Sequence, residues 1–203
     1  LGGNRIAILI DVSASMLAPE VVNVIRMRNQ SPAVQRGSKK WVQALDTVDW
    51  LTAQLPTGAR YQLILFNTQA RFALPETQGR WLEIADSEQV ERALSSVRNV
   101  LPEGGTSLHN AFNFLSELDS KPDNIFLVTD GLPTQGKSTP RKNTVSGPAR
   151  LKHYRDALKA LPSGVPVNVV LSPMEGDPMA ASEFWKLAQN TGGSFMAPAK
   201  DWP

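Results

Sequence analysis

The stretch Ile6-Ala7-Ile8-Leu9-Ile10-Asp11-Val12-Ser13-Ala14-Ser15-Met16 opens with five apolar residues in a row and then turns polar at a carboxylate. An unbroken apolar run of that length reads as a strand buried on both faces, the kind found in parallel sheets covered by helices. Asp11 marks the end of that strand, and the small residues after it predict a tight loop.

The rest of the chain alternates in the way this strand requires. Residues 39–55 carry Trp41, Leu45, Val48, Leu51 and Leu55 at helical spacing and stop at Pro56 and Gly58. Residues 61–66 read as the next strand. Residues 71–74 follow a link, 67–69, too short for a parallel crossover, which predicts an antiparallel hairpin strand. A helix over 87–100 presents Val90, Ala93, Leu94 and Val97, and another follows Thr106 with Leu108, Ala111, Phe112, Leu115 and Leu118. Beyond these come a strand at 124–129, a helix at 148–161, a strand at 165–171, a helix at 178–190 closed by Gly192 and Gly193, and a short strand at 194–197. This order predicts a doubly wound α/β fold: a mostly parallel sheet with one antiparallel edge strand and helices on both faces. At 203 residues the chain is expected to be one domain throughout. Because it begins at Leu1, just ahead of a strand, it is also expected to be part of a longer protein.

Composition removes several classes of function. There is no cysteine, so disulfides, thiolate metal sites and cysteine nucleophiles are excluded, and with only His109 and His153 a three-histidine zinc site is impossible. Lysine and arginine number 21 against 19 acids, too small an excess to argue for nucleic acid. No apolar run approaches the roughly 18 residues of a membrane span. An anchor upstream of Leu1 would make this a membrane-anchored, extracytoplasmic module of the cell envelope, which is the localisation expected.

Three segments carry the chemistry. Asp11, Ser13 and Ser15 alternate along the first loop, Gly104-Gly105-Thr106 places a hydroxyl before a helix, and Thr129-Asp130-Gly131 ends another buried strand with a second carboxylate. In open sheets of this class ligands bind beyond the carboxyl ends of the strands, where the winding reverses. Any one of the three is more often a cap or a turn. Together, at successive element boundaries, two carboxylates and three hydroxyls point to a hard divalent cation held by oxygen. These segments resemble the metal-ion-dependent adhesion site of von Willebrand factor type A domains, and the element order resembles that fold over nearly the whole chain. The resemblance implies that Ser13, Ser15 and Thr106 touch Mg²⁺, or Mn²⁺ in its place, directly. It implies that Asp11 and Asp130 act largely through bound water, and that an acidic side chain of a protein partner takes an open coordination position. It implies adhesion or assembly, with no catalytic residues. The connector 17–38 is longer than the family's usual link, and Val21, Val24, Ile25 and Met27 are spaced for a local helix.

Two further features compete for attention. Residues 131–138, GLPTQGKS, fit the phosphate-binding pattern G-x-x-x-x-G-K-[ST] after a strand, so the alternative function is a nucleotide-binding enzyme built on Lys137. Against it, Pro140, Gly147 and Pro148 leave little room for the helix such a loop must open, and Pro133 lacks an amide donor. His109, in the first turn after Thr106, is read as a capping or surface residue. Basic residues also collect in the connectors after Asp11 and Asp130. Residues 16–40 hold five basic residues against Glu20 alone, and 137–155 hold six with no acid. Arg26, Arg28, Arg36, Arg141 and Lys142 are thus expected to form a positive rim suited to an acidic partner surface.

Overall fold

In the computed structural model, which describes residues 2–139, 144–199 and 202, the central strand is β1 (Arg5–Asp11). It pairs in parallel with β2 (Arg60–Phe66) on one edge and β5 (Asn124–Thr129) on the other. β6 (Val167–Leu171) and β7 (Phe195–Met196) extend the β5 side in parallel, and β3 (Ala70–Phe72) returns antiparallel on β2. The order is β3-β2-β1-β5-β6-β7, and a two-residue strand, β4 (Leu82–Glu83), also pairs antiparallel with β2. The expected doubly wound sheet is therefore present, with its antiparallel hairpin one residue earlier than the apolar pattern suggests. β4 had no sequence signal, since two residues display no period.

Because β1 is bonded on both edges, its side chains alternate between two helical layers. Ile6, Ile8 and Ile10 pack with Trp41, Val48 and Leu51 of α3 (Lys39–Ala53) and with Leu94 and Val97 of α4 (Ser87–Arg98). Ala7 and Leu9 face Phe112 and Leu115 of α5 (Leu108–Ser116), Tyr154 of α6 (Gly147–Leu158) and Phe184 of α7 (Ala180–Thr191). One half of the chain winds from β1 toward β3 and the other from β5 toward β7. The carboxyl ends of β1 and β5 consequently lie side by side at the switch point, which brings Asp11 and Asp130 to one edge.

The long connector is helical, as the spacing of its apolar residues suggested. After one 3-10 turn (Ala14–Leu17) come α1 (Val21–Arg28) and α2 (Pro32–Arg36), the latter opened by Pro32 and capped by the Ser31 hydroxyl, which accepts from the Val34 amide at 3.4 Å. Val24 is the buried residue of α1 and packs with Ala14, Ala18 and Met174, holding the insertion against the loop that follows β1.

Phe112 fixes α5, and with it the preceding loop, to the sheet. Phe112→Ala should lower the unfolding free energy by about 3–5 kcal/mol while preserving the far-ultraviolet circular dichroism of the fold, as urea denaturation would measure.

Candidate metal centre

Asp11 and Asp130 are almost completely enclosed, at 0% and 3% exposure. Each oxygen of Asp11 is occupied: Oδ1 accepts from the Ser13 amide at 2.9 Å and Oδ2 from the Thr129 hydroxyl at 2.7 Å. The second contact ties the end of β1 to the end of β5. Ser13 and Ser15 bring their hydroxyls within 3.0 Å of each other, and the Ser15 hydroxyl donates to Asp130 Oδ1 at 3.1 Å. Four of the five predicted oxygen residues thus form one continuous polar cluster.

Thr106 is buried beside them and held by its backbone. Glu103 donates its amide to Val12 O at 2.9 Å and Ala14 donates to Gly104 O at 3.1 Å, locking the two loops together. The Thr106 amide donates to the Thr134 hydroxyl at 2.8 Å, and its carbonyl accepts from the Thr134 and Gln135 amides at 3.0 Å each. A Cβ on Gly105 would fall 2.6 Å from Thr134 Oγ1, so glycine is what admits that hydroxyl. The Thr106 hydroxyl has no hydrogen bond to Ser13, Ser15 or either carboxylate among the described residues.

One participant was not foreseen. Lys40, in the first turn of α3, is buried and donates to Asp130 Oδ2 at 2.6 Å, to Ser15 O at 3.0 Å and to Ala18 O at 3.4 Å. The sequence did not single it out: Lys39 and Lys40 both open α3 against the helix dipole, yet Lys39 is exposed. Asp177 was likewise missed. It accepts from the Leu132 amide at 2.7 Å and pairs with Arg150 at 2.8 Å, pinning the loop after Asp130.

Burial pushes the Asp11 carboxyl up to about 7, the neighbouring Asp130 carboxylate adds to the rise, and hydrogen bonds from Ser13 and Thr129 oppose it. No group of three or more histidine, aspartate or glutamate side chains among the described residues is arranged to hold a metal. The cluster here has two carboxylates, with hydroxyls in place of further acids.

The phosphate-loop pattern does not fold as a cradle. Residues 131–139 are not helical, and the next described helix is α6. The Leu132 amide is taken by Asp177, those of Thr134 and Gln135 by Thr106 O, and Pro133 has none. The exposed Lys137 instead lines an open cavity of about 500 Å³ with His109, Ser138, His153 and Lys159. Of the basic rim, Arg26 and Arg28 are exposed on α1 beside the serine loop and Arg36 is half-buried at the end of α2. Arg141 and Lys142 lie outside the described residues.

The sequence profile of the von Willebrand factor type A domain matches residues 6–132. The chain belongs to the von Willebrand factor type A family. Domains of this family typically mediate protein–protein interaction and are generally not enzymes. No curated protein sequence matches the chain. Among solved structures it is similar to a von Willebrand factor type A protein from Catenulispora acidiphila, with TM-score 0.64 and 19% identity over 98% of this chain and 39% of that one. It is similar to an aerotolerance-related membrane protein from Bacteroides fragilis, with TM-score 0.57 and 17% identity over 97% of this chain and 92% of that one. It is also similar to proximal thread matrix protein 1 of the mussel byssus, solved with zinc in its metal-ion-dependent adhesion site, with TM-score 0.55 and 17% identity over 97% and 43%. The chain therefore spans less than half the length of the first and third of these proteins. No described helix is long and apolar enough to cross a membrane.

A carboxyl raised from 3.8 to about 7 on folding favours the protonated native state, so its stabilising contribution is complete below about pH 4 and is lost as pH rises through 7. In metal-free buffer the melting temperature of the wild type should fall relative to Asp11→Asn between pH 4 and 7.5. Parallel profiles for the two proteins, measured by scanning calorimetry, would remove the buried-carboxylate assignment.

Proposed function

We propose that this chain is a divalent-cation-dependent protein-binding module. The observation that carries the reading is the convergence of the carboxylate and hydroxyl oxygens of Asp11, Ser13, Ser15 and Asp130 into one largely buried cluster at the switch point of the sheet. That donor set suits a hard ion such as Mg²⁺ or Mn²⁺ and suits soft metals poorly. Ser13, Ser15 and Thr106 would hold the ion directly, and Asp11 and Asp130 would act through water. Bound there, the ion supplies a Lewis-acidic position for one carboxylate of a partner.

The surroundings favour a protein as that partner. α1 stands against the serine loop and leaves Val21, Val22 and Ile25 about half exposed, at 49%, 58% and 57%, next to the exposed Arg26 and Arg28. Apolar side chains flanked by arginine are common at protein-binding surfaces. Arg36, and from the sequence Arg141 and Lys142, would extend the positive rim toward an acidic patch. Residues 1–203 would act as one domain of a longer, envelope-anchored protein, consistent with the membrane protein among the structures it is similar to.

Ligand linkage sets the test. At a Mg²⁺ concentration 100 times its dissociation constant, stabilisation is about 2.7 kcal/mol, a rise in melting temperature of roughly 5–10 °C for a domain of this size. The wild type should show that rise with Mg²⁺ and with Mn²⁺, and Asp11→Ala should show none. Equal shifts in the two proteins would overturn the assignment.

A further inference from the structure

Lys40 places an ammonium group inside the candidate cation site. Its three hydrogen bonds, to Asp130 Oδ2, Ser15 O and Ala18 O, match the three donors of an ammonium, and its side chain is only 6% exposed. Ser15 is held at both ends of this arrangement: its carbonyl accepts from Lys40, and its hydroxyl donates to the carboxylate that Lys40 neutralises. Lys40, Asp130 and Ser15 thus close a ring, with Ser13 and Asp11 attached to it. A lysine in the first turn of a helix sits against the helix dipole, and α3 has no acidic residue in that turn. Among the described residues, the carboxylate that compensates it is Asp130.

The net charge of the cluster sets its demand for ligands. With both carboxyls ionised, the form in which they would face a cation, two carboxylates and one ammonium leave the enclosed cluster at −1, and a divalent ion would bring it to +1. In a buried site an uncompensated charge is strongly disfavoured, and one further carboxylate restores neutrality. We propose that Lys40 is a resident cation of the site. It keeps Ser15 and Asp130 in place when no metal is bound, and it weakens binding of the divalent ion until a carboxylate ligand arrives with it. Metal and acidic partner then bind as a cooperative pair, each strengthening the other by the same factor. This inference rests on the metal-site reading above and adds to it the reason an acidic ligand is required.

The test measures Mn²⁺ binding by electron paramagnetic resonance and calorimetry on the whole chain. In the wild type, replacing chloride by acetate at constant ionic strength should tighten Mn²⁺ binding several-fold. Lys40→Met should bind Mn²⁺ on the order of tenfold tighter than wild type in chloride and respond less to acetate, whereas Lys40→Arg should behave like the wild type. Wild-type binding that acetate leaves unchanged overturns the proposal without any variant, which keeps it decidable should Lys40→Met fail to fold. Equal or weaker Mn²⁺ binding by a folded Lys40→Met overturns it while leaving the metal site standing. Failure of both wild type and Lys40→Met to bind Mn²⁺ removes the metal reading, and this proposal with it.

Discussion

Two carboxylates buried beside each other at the ends of adjacent parallel strands are the constraint around which this molecule is arranged. Like charges in a low-dielectric interior repel strongly, and each lacks water to solvate it. The structure answers with donors drawn from across the chain: the Ser13 amide and Thr129 hydroxyl for Asp11, the Ser15 hydroxyl and Lys40 ammonium for Asp130. Those donors come from both halves of the doubly wound sheet and from α3. The site is therefore a second joint between parts of the fold that also meet through the β1–β5 ladder and the hydrophobic layers.

The joint needs firm loops, and the loops are firm because their backbone groups bond one another. The serine loop and the 103–106 loop exchange hydrogen bonds through Val12, Glu103, Ala14 and Gly104, and the loop after Asp130 is fastened to Thr106 and Asp177. The same fastening counts against the phosphate-binding alternative, since the Leu132, Thr134 and Gln135 amides, already used inside the protein, are not free to receive an anion. Among the described residues, α1 stands exposed beside this edge, with apolar and basic side chains facing solvent. A polar cluster bordered by an apolar and basic shoulder fits the binding role proposed above.

Most of the architecture was legible in the order of residues. The unbroken apolar run of β1 announced a strand buried on both faces, and the three-residue link after β2 announced an antiparallel hairpin. The oxygen-bearing residues at three element ends predicted a common edge, because in a doubly wound sheet those ends converge, and four of them, Asp11, Ser13, Ser15 and Asp130, meet there in one hydrogen-bonded cluster. Even the helical character of the 17–38 connector followed from the spacing of Val21, Val24, Ile25 and Met27. These features are local or periodic, and periodicity is written into sequence directly.

What only the tertiary structure decided is which distant groups meet. Lys40 lies 90 positions from Asp130 and ends 2.6 Å from it, Thr129 reaches Asp11 from the adjacent strand, and Asp177 holds the loop of Leu132. β4 owes its existence to the free edge of β2 rather than to any preference of Leu82 and Glu83. A side chain's partner is set by the packing of the elements that carry it, and a charged residue in a sequence looks the same whether it will face water or neutralise a buried carboxylate. The sequence by itself determined the sheet, its winding and the edge where Asp11, Ser13, Ser15 and Asp130 gather. Folding alone placed a lysine among them, because only the docking of α3 against the serine loop brings that ammonium to the carboxylate.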